Sequence, residues 1–260
     1  VSAALRDAVA VVSGASSGLG RRFAVDLARA GAVVVGIARR GELLEELAGT
    51  LLRSSPASGT EVCDVADTDA YAALLGRIEA DRGRIDVLVQ AAGIGEERGD
   101  DPTVAGVRRV MDVNFFGAVA GTLAVLPGML ERRSGIVVNV SSDSGRAPGP
   151  GEPGYGASKA ALSAFTESMA MRHEGNGVHL HVLYPGWVPT AMGQGAVDEG
   201  MPMPPKMVRR SEDDVARLLL DKMGGAALDI DAAKVARLAP VARALFPGAY
   251  RRGVRKAAQA

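Results

Sequence analysis

The stretch Ala8-Val9-Ala10-Val11-Val12-Ser13-Gly14-Ala15-Ser16-Ser17-Gly18-Leu19-Gly20 decides the fold. Its first five residues are apolar and mostly β-branched, and they stop at Ser13-Gly14, which reads as a short buried strand. The glycines at 14, 18 and 20 suit a tight turn, a close backbone approach to a pyrophosphate, and close packing of a helix on a strand. Residues 21–30 have helical spacing, so a helix N-terminus would aim its free N–H groups at the same phosphates. Gly14, Ser16, Ser17, Gly18, Leu19 and Gly20 are therefore candidate cofactor contacts. A glycine-rich turn without a ligand is the plain alternative. The position after the first strand and before a helix gives the pattern its weight.

Outward from this segment, short β-branched runs at 33–37, 85–90, 136–140 and 178–183 alternate with helical patterns at 42–52, 70–81 and 159–173. That alternation predicts an α/β fold with a mostly parallel sheet covered on both faces. With 260 residues, no repeat and no linker, the chain is expected to form one domain over 1–260. Thirty basic residues balance thirty acidic ones, so global charge offers no argument for nucleic acid. The lone cysteine, Cys63, excludes an internal disulfide and reads as a small buried residue. The run at 8–12 is too short for a secretory core, and no stretch without charge or turn residues approaches a membrane span. A cytoplasmic location is expected.

The second strand ends Gly36-Ile37-Ala38-Arg39-Arg40. An acid here would bind a ribose 2′-hydroxyl. Ala38 cannot do so, whereas Arg39 and Arg40 offer cations to a 2′-phosphate. NADP(H) is therefore expected over NAD(H), the alternative being two solvated arginines.

Further on, Tyr155-Gly156-Ala157-Ser158-Lys159 opens an Ala-rich helical segment. Residues i and i+4 share a helix face, so both side chains can enter one site. A phenol titrates near 10 when free; a neighbouring ammonium and an oxidised nicotinamide are expected to lower it, and Tyr155 could then accept or donate a proton. Lys159 can also hydrogen-bond the cofactor ribose. Ser141 and Ser142 follow the run at 136–140, and a hydroxyl there could hold a substrate oxygen beside the tyrosine.

Taken together, these residues resemble the short-chain dehydrogenase/reductase family, in its common branch of about 250 residues. The likeness covers about residues 7–225. It rests on the glycine segment, Asp64-Val65, Asn114, Ser142 with Tyr155 and Lys159, and Pro185-Gly186 followed by Thr190. The resemblance implies a single Rossmann-type, doubly wound domain with a seven-stranded parallel sheet. It implies Asn114, Ser142, Tyr155 and Lys159 as the catalytic set, with Ser142 chosen over Ser141 by family spacing and Asn114 holding a water in a proton relay through Lys159. It implies that Asp64 and Val65 line an adenine pocket and that Arg39 meets the 2′-phosphate. Ala92 and Gly93 would approach the cofactor, Pro185, Gly186 and Val188 the nicotinamide, and Thr190 its carboxamide or the phosphates. One departure stands out: Gln90-Ala91 replaces the family's Asn-Asn, which puts the rigidity of that strand end in doubt.

The implied activity is NADP(H)-dependent reduction of a carbonyl or oxidation of the matching alcohol. A non-catalytic NADP(H)-binding sensor or scaffold, or an epimerase-type relative, are the alternatives. Substrate choice is expected from 93–101, 144–154 and 193–208. Of these, 144–154 and 193–205 read as irregular, and 190–208 as the substrate loop. Met192, Met201, Met203 and Met207 would suit an apolar substrate, ordinary loop packing being an equal reading. His179 and His181 share a strand face without a third ligand, so no metal is expected. The tail 232–260 reads as helical, broken at Pro240 and Pro247. Its apolar part is expected to pack on the domain or on another subunit rather than on a membrane. A homodimer or homotetramer is expected.

Overall fold

The computed structural model describes residues 5–96 and 101–258, so parts of the expected domain and of its 93–101 segment lie outside the described residues. Seven strands form one parallel sheet in the order β3-β2-β1-β4-β5-β6-β7. They are β1 (Val9–Ser13), β2 (Val33–Ala38), β3 (Gly59–Val62), β4 (Val87–Gln90), β5 (Gly135–Val140), β6 (Val178–Tyr184) and β7 (Asp229–Asp231). Every residue of β1 and β4 is buried, as expected of central strands covered on both faces. Both edge strands are short, which limits the unpaired backbone presented to solvent.

Alternate residues of each strand serve opposite faces. Ala10 and Val12 of β1 join one core with Phe23 and Leu27 of α1 (Gly18–Arg29), Leu47 of α2 (Gly41–Ser54) and Leu219 further along the chain. Val11 joins the other with Tyr71 and Leu75 of α3 (Thr68–Arg82). That second face is completed by α4 (Val104–Met111), a π-helical turn (Asp112–Phe116) and α5 (Gly117–Glu131), which contributes Val125 and Met129. The chain turns from building leftward to building rightward between β1 and β4. In such sheets a crevice opens at the carboxyl ends of the strands on either side of this reversal. The architecture is the expected doubly wound α/β sheet.

Four features differ from the sequence expectations. Val104–Glu131 is one continuous helix, long and apolar enough by composition to cross a membrane. It packs on α3 and on α7 (Pro153–Arg172), which accounts for much of its apolarity. Residues 144–154 are not wholly irregular, because a short helix α6 (Asp143–Arg146) precedes the loop. Residues 193–205 were expected to be irregular, yet α8 spans Ala191–Asp198, capped by the Thr190 hydroxyl on the Gly193 N–H at 3.2 Å. After α9 (Glu212–Lys222), the tail contains α10 (Leu238–Leu245) and α11 (Pro247–Ala258). Pro240 sits inside α10 rather than breaking it, since it lies in the first turn, where its missing N–H costs no bond. Pro247 begins α11, the position that suits proline best.

Candidate active site

The crevice at the β1/β4 reversal is a cleft of about 500 Å³. One end is built by the loop after β1. Gly14 has φ +71, and a Cβ there would lie 2.6 Å from the Ala92 N, so glycine alone lets the β1 and β4 ends meet. Helix α1 starts at Gly18 with no side-chain cap from Ser17 and no acid in its first turn. Its leading N–H groups are thus left for a ligand anion, and the helix dipole favours one. Arg40 crosses to this loop, donating to Ser16 Oγ at 2.9 Å and Ser17 Oγ at 2.7 Å. Arg39 points instead at Asp64, 3.5 Å away, with both side chains largely exposed. Hydroxyls, an uncapped helix end and a guanidinium form the donor set that a nucleotide phosphate requires, so these residues fit an NAD(P)(H) cofactor.

The other end is built by β5, α7 and the segment after β6. Lys159 is buried on α7, and its Nζ donates to the Val140 carbonyl at 2.9 Å. That nitrogen lies 5.8 Å from the centre of the Tyr155 ring. Burial lowers the Lys159 ammonium to about 8 and pushes the Tyr155 phenol up to about 12. Hydrogen bonding to Ser142 opposes the rise at Tyr155, while the charges of Glu152 and Asp143 add to it. The expected lowering of the phenol by the ammonium is therefore not what the protein groups alone produce: desolvation dominates, and the Lys159 Nζ is spending a donor on Val140. At neutral pH this phenol is protonated.

Nearly every residue singled out from sequence meets in this cleft. Its walls include Gly14, Ser16, Ser17, Gly18, Leu19, Gly20, Arg39, Arg40, Asp64, Val65, Ala92, Gly93, Ser142, Tyr155, Lys159, Pro185, Gly186, Val188 and Thr190. Asn114 stands behind the wall, in the π-helical turn, a distortion often found at functional sites. Its Oδ1 accepts from Ile94 N at 2.8 Å, and its Nδ2 donates to Ile94 O at 3.0 Å and Ser158 Oγ at 3.1 Å. A Cβ on Gly93 would lie 3.3 Å from Asn114 Oδ1 and 3.5 Å from Lys159 Nζ, so glycine keeps the two side chains close. Met192 and Met201 line the cleft, whereas Met203 and Met207 are exposed away from it.

The structure also separates two adjacent serines. Ser141 is buried, bonded to the Lys159 carbonyl at 3.0 Å and to Ser163 Oγ at 2.8 Å. Ser142 caps α6 by accepting from the Ser144 N–H at 3.1 Å, and its hydroxyl faces the cleft beside Tyr155. The doubt raised by Gln90 is resolved in favour of rigidity. Its Oε1 accepts from Ser13 Oγ at 3.1 Å and Tyr71 OH at 2.8 Å, and its Nε2 donates to Ala118 O at 3.0 Å. One amide thereby ties β1, α3 and α5 to the end of β4.

Two carboxylates escaped the sequence reading. Glu96 accepts from the Gly154 and Tyr155 N–H groups at 2.7 and 3.3 Å, capping α7 where the tyrosine leaves it. No local pattern signals a cap supplied from 58 residues away. Asp143 follows Ser142, and burial pushes its carboxyl up to about 6, against the pull of Arg146. Its Oδ1 is buried without a hydrogen-bond partner. Arg146 in turn bonds Asp229 and Asp231 of β7 and stacks on the Tyr184 ring, fixing α6 and its serine to the sheet edge.

A family profile described as short chain dehydrogenase matches residues 8–200. Mouse dehydrogenase/reductase SDR family member 7B is 38% identical over 198 residues, covering 74% of this chain and 61% of its own. The Bos taurus protein of that name is 36% identical over 260 residues, covering 95% of this chain and 80% of its own. The chain thus spans about three fifths of the length of the first of these relatives. Among solved structures, a short-chain dehydrogenase from Streptomyces avermitilis superposes with a TM-score of 0.78 at 27% identity, over 97% of this chain and 98% of that one.

Proposed function

The chain belongs to the short-chain dehydrogenase/reductase family of NAD(P)-dependent oxidoreductases, and from that premise we propose that it reduces a ketone or aldehyde with NADPH, Tyr155 supplying the proton. The observation that carries this reading is the convergence of Ser142, Tyr155 and Lys159 on one cleft with the glycine loop and Arg40. A nicotinamide held in this cleft would supply the hydride, and the chain's own residues bind, orient and move the proton. Ser142 donates a hydrogen bond to the substrate oxygen and holds it beside the phenol. Tyr155, protonated at neutral pH because burial raises it to about 12, gives its proton to the developing alkoxide. Lys159, one helical turn on, stabilises the phenolate that remains and returns a proton to it. Asn114, which bonds both backbone groups of Ile94, would hold the water through which Lys159 exchanges its proton with solvent.

Preference for NADPH over NADH is supported by Arg40 on the phosphate-loop hydroxyls, with Arg39 beside Asp64 as the second cation. An apolar substrate is supported by Met192 and Met201 in the cleft wall. Exposed Phe116, Leu123 and Met171 support a homo-oligomer formed through the long helices. NADPH consumption by the purified protein across a panel of apolar ketones and aldehydes tests the activity. Turnover with at least one member is expected, and tight NADPH binding without turnover on any of them would replace the enzyme by a sensor.

A further inference from the structure

After Asp231 the sequence contains no acidic residue through position 260, while Lys234, Arg237, Arg243, Arg251, Arg252, Arg255 and Lys256 are all basic. Arg237 is engaged with Asp231, and Arg243 reaches the Arg146 carbonyl. Lys234, Arg251, Arg252, Arg255 and Lys256 are exposed and make no ion pair among the described residues. The apolar part of the same segment was expected to pack on the domain or on another subunit, and within this chain it stays largely exposed. Leu238, Val241, Leu245 and Phe246 are 64, 52, 66 and 64% exposed. Their spacing places them along one side of α10 and its end. The 3₁₀ turn Lys234–Arg237 that leads into α10 contacts the one at Lys206–Val208, where Met207 is also exposed.

An exposed apolar stripe flanked by unpaired cations needs a partner that is apolar and anionic at once. A second copy of this tail brings only more cations, so a two-fold contact through it would set like charges against each other. A nucleic acid would satisfy the arginines but leave the aliphatic stripe in water. An anionic bilayer satisfies both, taking the stripe below the headgroups and the cations at their phosphates. We propose that α10 and α11 dock the protein on an anionic lipid surface, with Leu238, Val241, Leu245 and Phe246 inserted and Arg251, Arg252, Arg255 and Lys256 on the headgroups. Docking in this pose also brings exposed Met207, on the neighbouring 3₁₀ turn, toward the bilayer.

The test is flotation of the purified full chain with vesicles of phosphatidylcholine alone or with 30% phosphatidylglycerol, about that content being enough to give a strongly negative surface. Binding to the mixed vesicles is expected, with binding to the neutral ones at least tenfold weaker and reversal by 0.5 M salt, both on the order set by surface-charge screening. Replacing Arg251, Arg252, Arg255 and Lys256 by Gln should weaken binding about 100-fold or more. Separately, Leu245→Ser with Phe246→Ser should weaken it about tenfold or more. Both sets are exposed, so unchanged thermal unfolding checks the fold. Equal binding to neutral and anionic vesicles, or none to either, overturns the proposal. So does an oligomer, seen by light scattering without lipid, that the Leu245→Ser/Phe246→Ser pair disperses, because it assigns the stripe to a second copy. Tighter binding to a DNA duplex than to the mixed vesicles, lost with the same four cations, overturns it as well.

Discussion

Arg40 and Arg39 sit side by side in sequence, yet the structure gives them different partners, and that difference makes a sharp prediction about the cofactor. Arg40 holds Ser16 and Ser17 at 2.9 and 2.7 Å, whereas Arg39 lies 3.5 Å from Asp64. A guanidinium hydrogen-bonded to a phosphate contributes roughly 1.5–3 kcal/mol. Arg40 is exposed, so the lower end applies, about 1.5 kcal/mol or a tenfold change. Arg40→Met keeps the apolar stem and removes the charge. It should lower kcat/KM for NADPH about tenfold and leave that for NADH within about twofold, since NADH carries no 2′-phosphate. Arg39→Met should have a smaller effect on NADPH, about threefold, because part of its charge is already answered by Asp64. The comparison is made by steady-state kinetics at two salt concentrations, and the Arg40 effect should shrink at high salt. Equal losses on both cofactors, or a larger loss from Arg39→Met than from Arg40→Met, would refute the assignment.

Three further predictions concern the groups around the site. Gln90→Leu removes three buried hydrogen bonds and takes from the fully buried Tyr71 hydroxyl its Gln90 acceptor. A loss of about 2–4 kcal/mol is expected in urea unfolding, partly restored by adding Tyr71→Phe, and an unchanged midpoint would show that the amide carries no structural load. Asp143 titrates at about 6 in the fold against 3.8 when free. The neutral form is thus favoured on folding, and stability should fall as pH rises from about 4 to about 6. Asp143→Asn should abolish that decline and be the more stable protein at pH 7 by about 2 kcal/mol, a value reduced from the full shift for partial solvent access. A flat wild-type profile over that window would contradict the assignment. The chain has five lysines. After reductive ¹³C-methylation one NMR signal, absent in Lys159→Met, should titrate near 8. Titration of that signal in the ordinary lysine range would mean the ammonium is not desolvated.

Much of the fold was legible because it is written locally. Short β-branched runs mark the central strands, the first of them stopping at Ser13-Gly14, and Tyr155 and Lys159 declare their shared face by a four-residue spacing. What sequence reasoning missed is held by contacts between distant segments. The choice between Ser141 and Ser142 came from family spacing, and the physical reason is three-dimensional: Ser141 is consumed by Lys159 O and Ser163. Gln90 looked like a loss of two asparagines, and only its partners on β1, α3 and α5 reveal a replacement. Glu96 caps a helix far along the chain, a relation without periodicity. The helix Ala191–Asp198 was hidden by the glycines at 193 and 195, whose poor propensity is overridden by the Thr190 cap. The phenol of Tyr155 illustrates a different limit. Spacing predicts a neighbouring ammonium, but the desolvation that dominates at the phenol depends on burial, which no spacing encodes.

The claim at the centre of this account is that Tyr155 moves the proton that accompanies the hydride, and single-turnover kinetics of Tyr155→Phe test it most directly. Binding of NADPH is first measured by its fluorescence on mixing with wild type and variant, and decay of the reduced nicotinamide is then followed after addition of a carbonyl substrate. The substitution removes one hydroxyl and leaves the ring, the fold and the phosphate contacts in place. NADPH affinity within about twofold of wild type is expected, together with a hydride-transfer rate lower by about 10²–10⁴, the range for loss of a positioned general acid. A variant that transfers hydride at the wild-type rate would contradict the account.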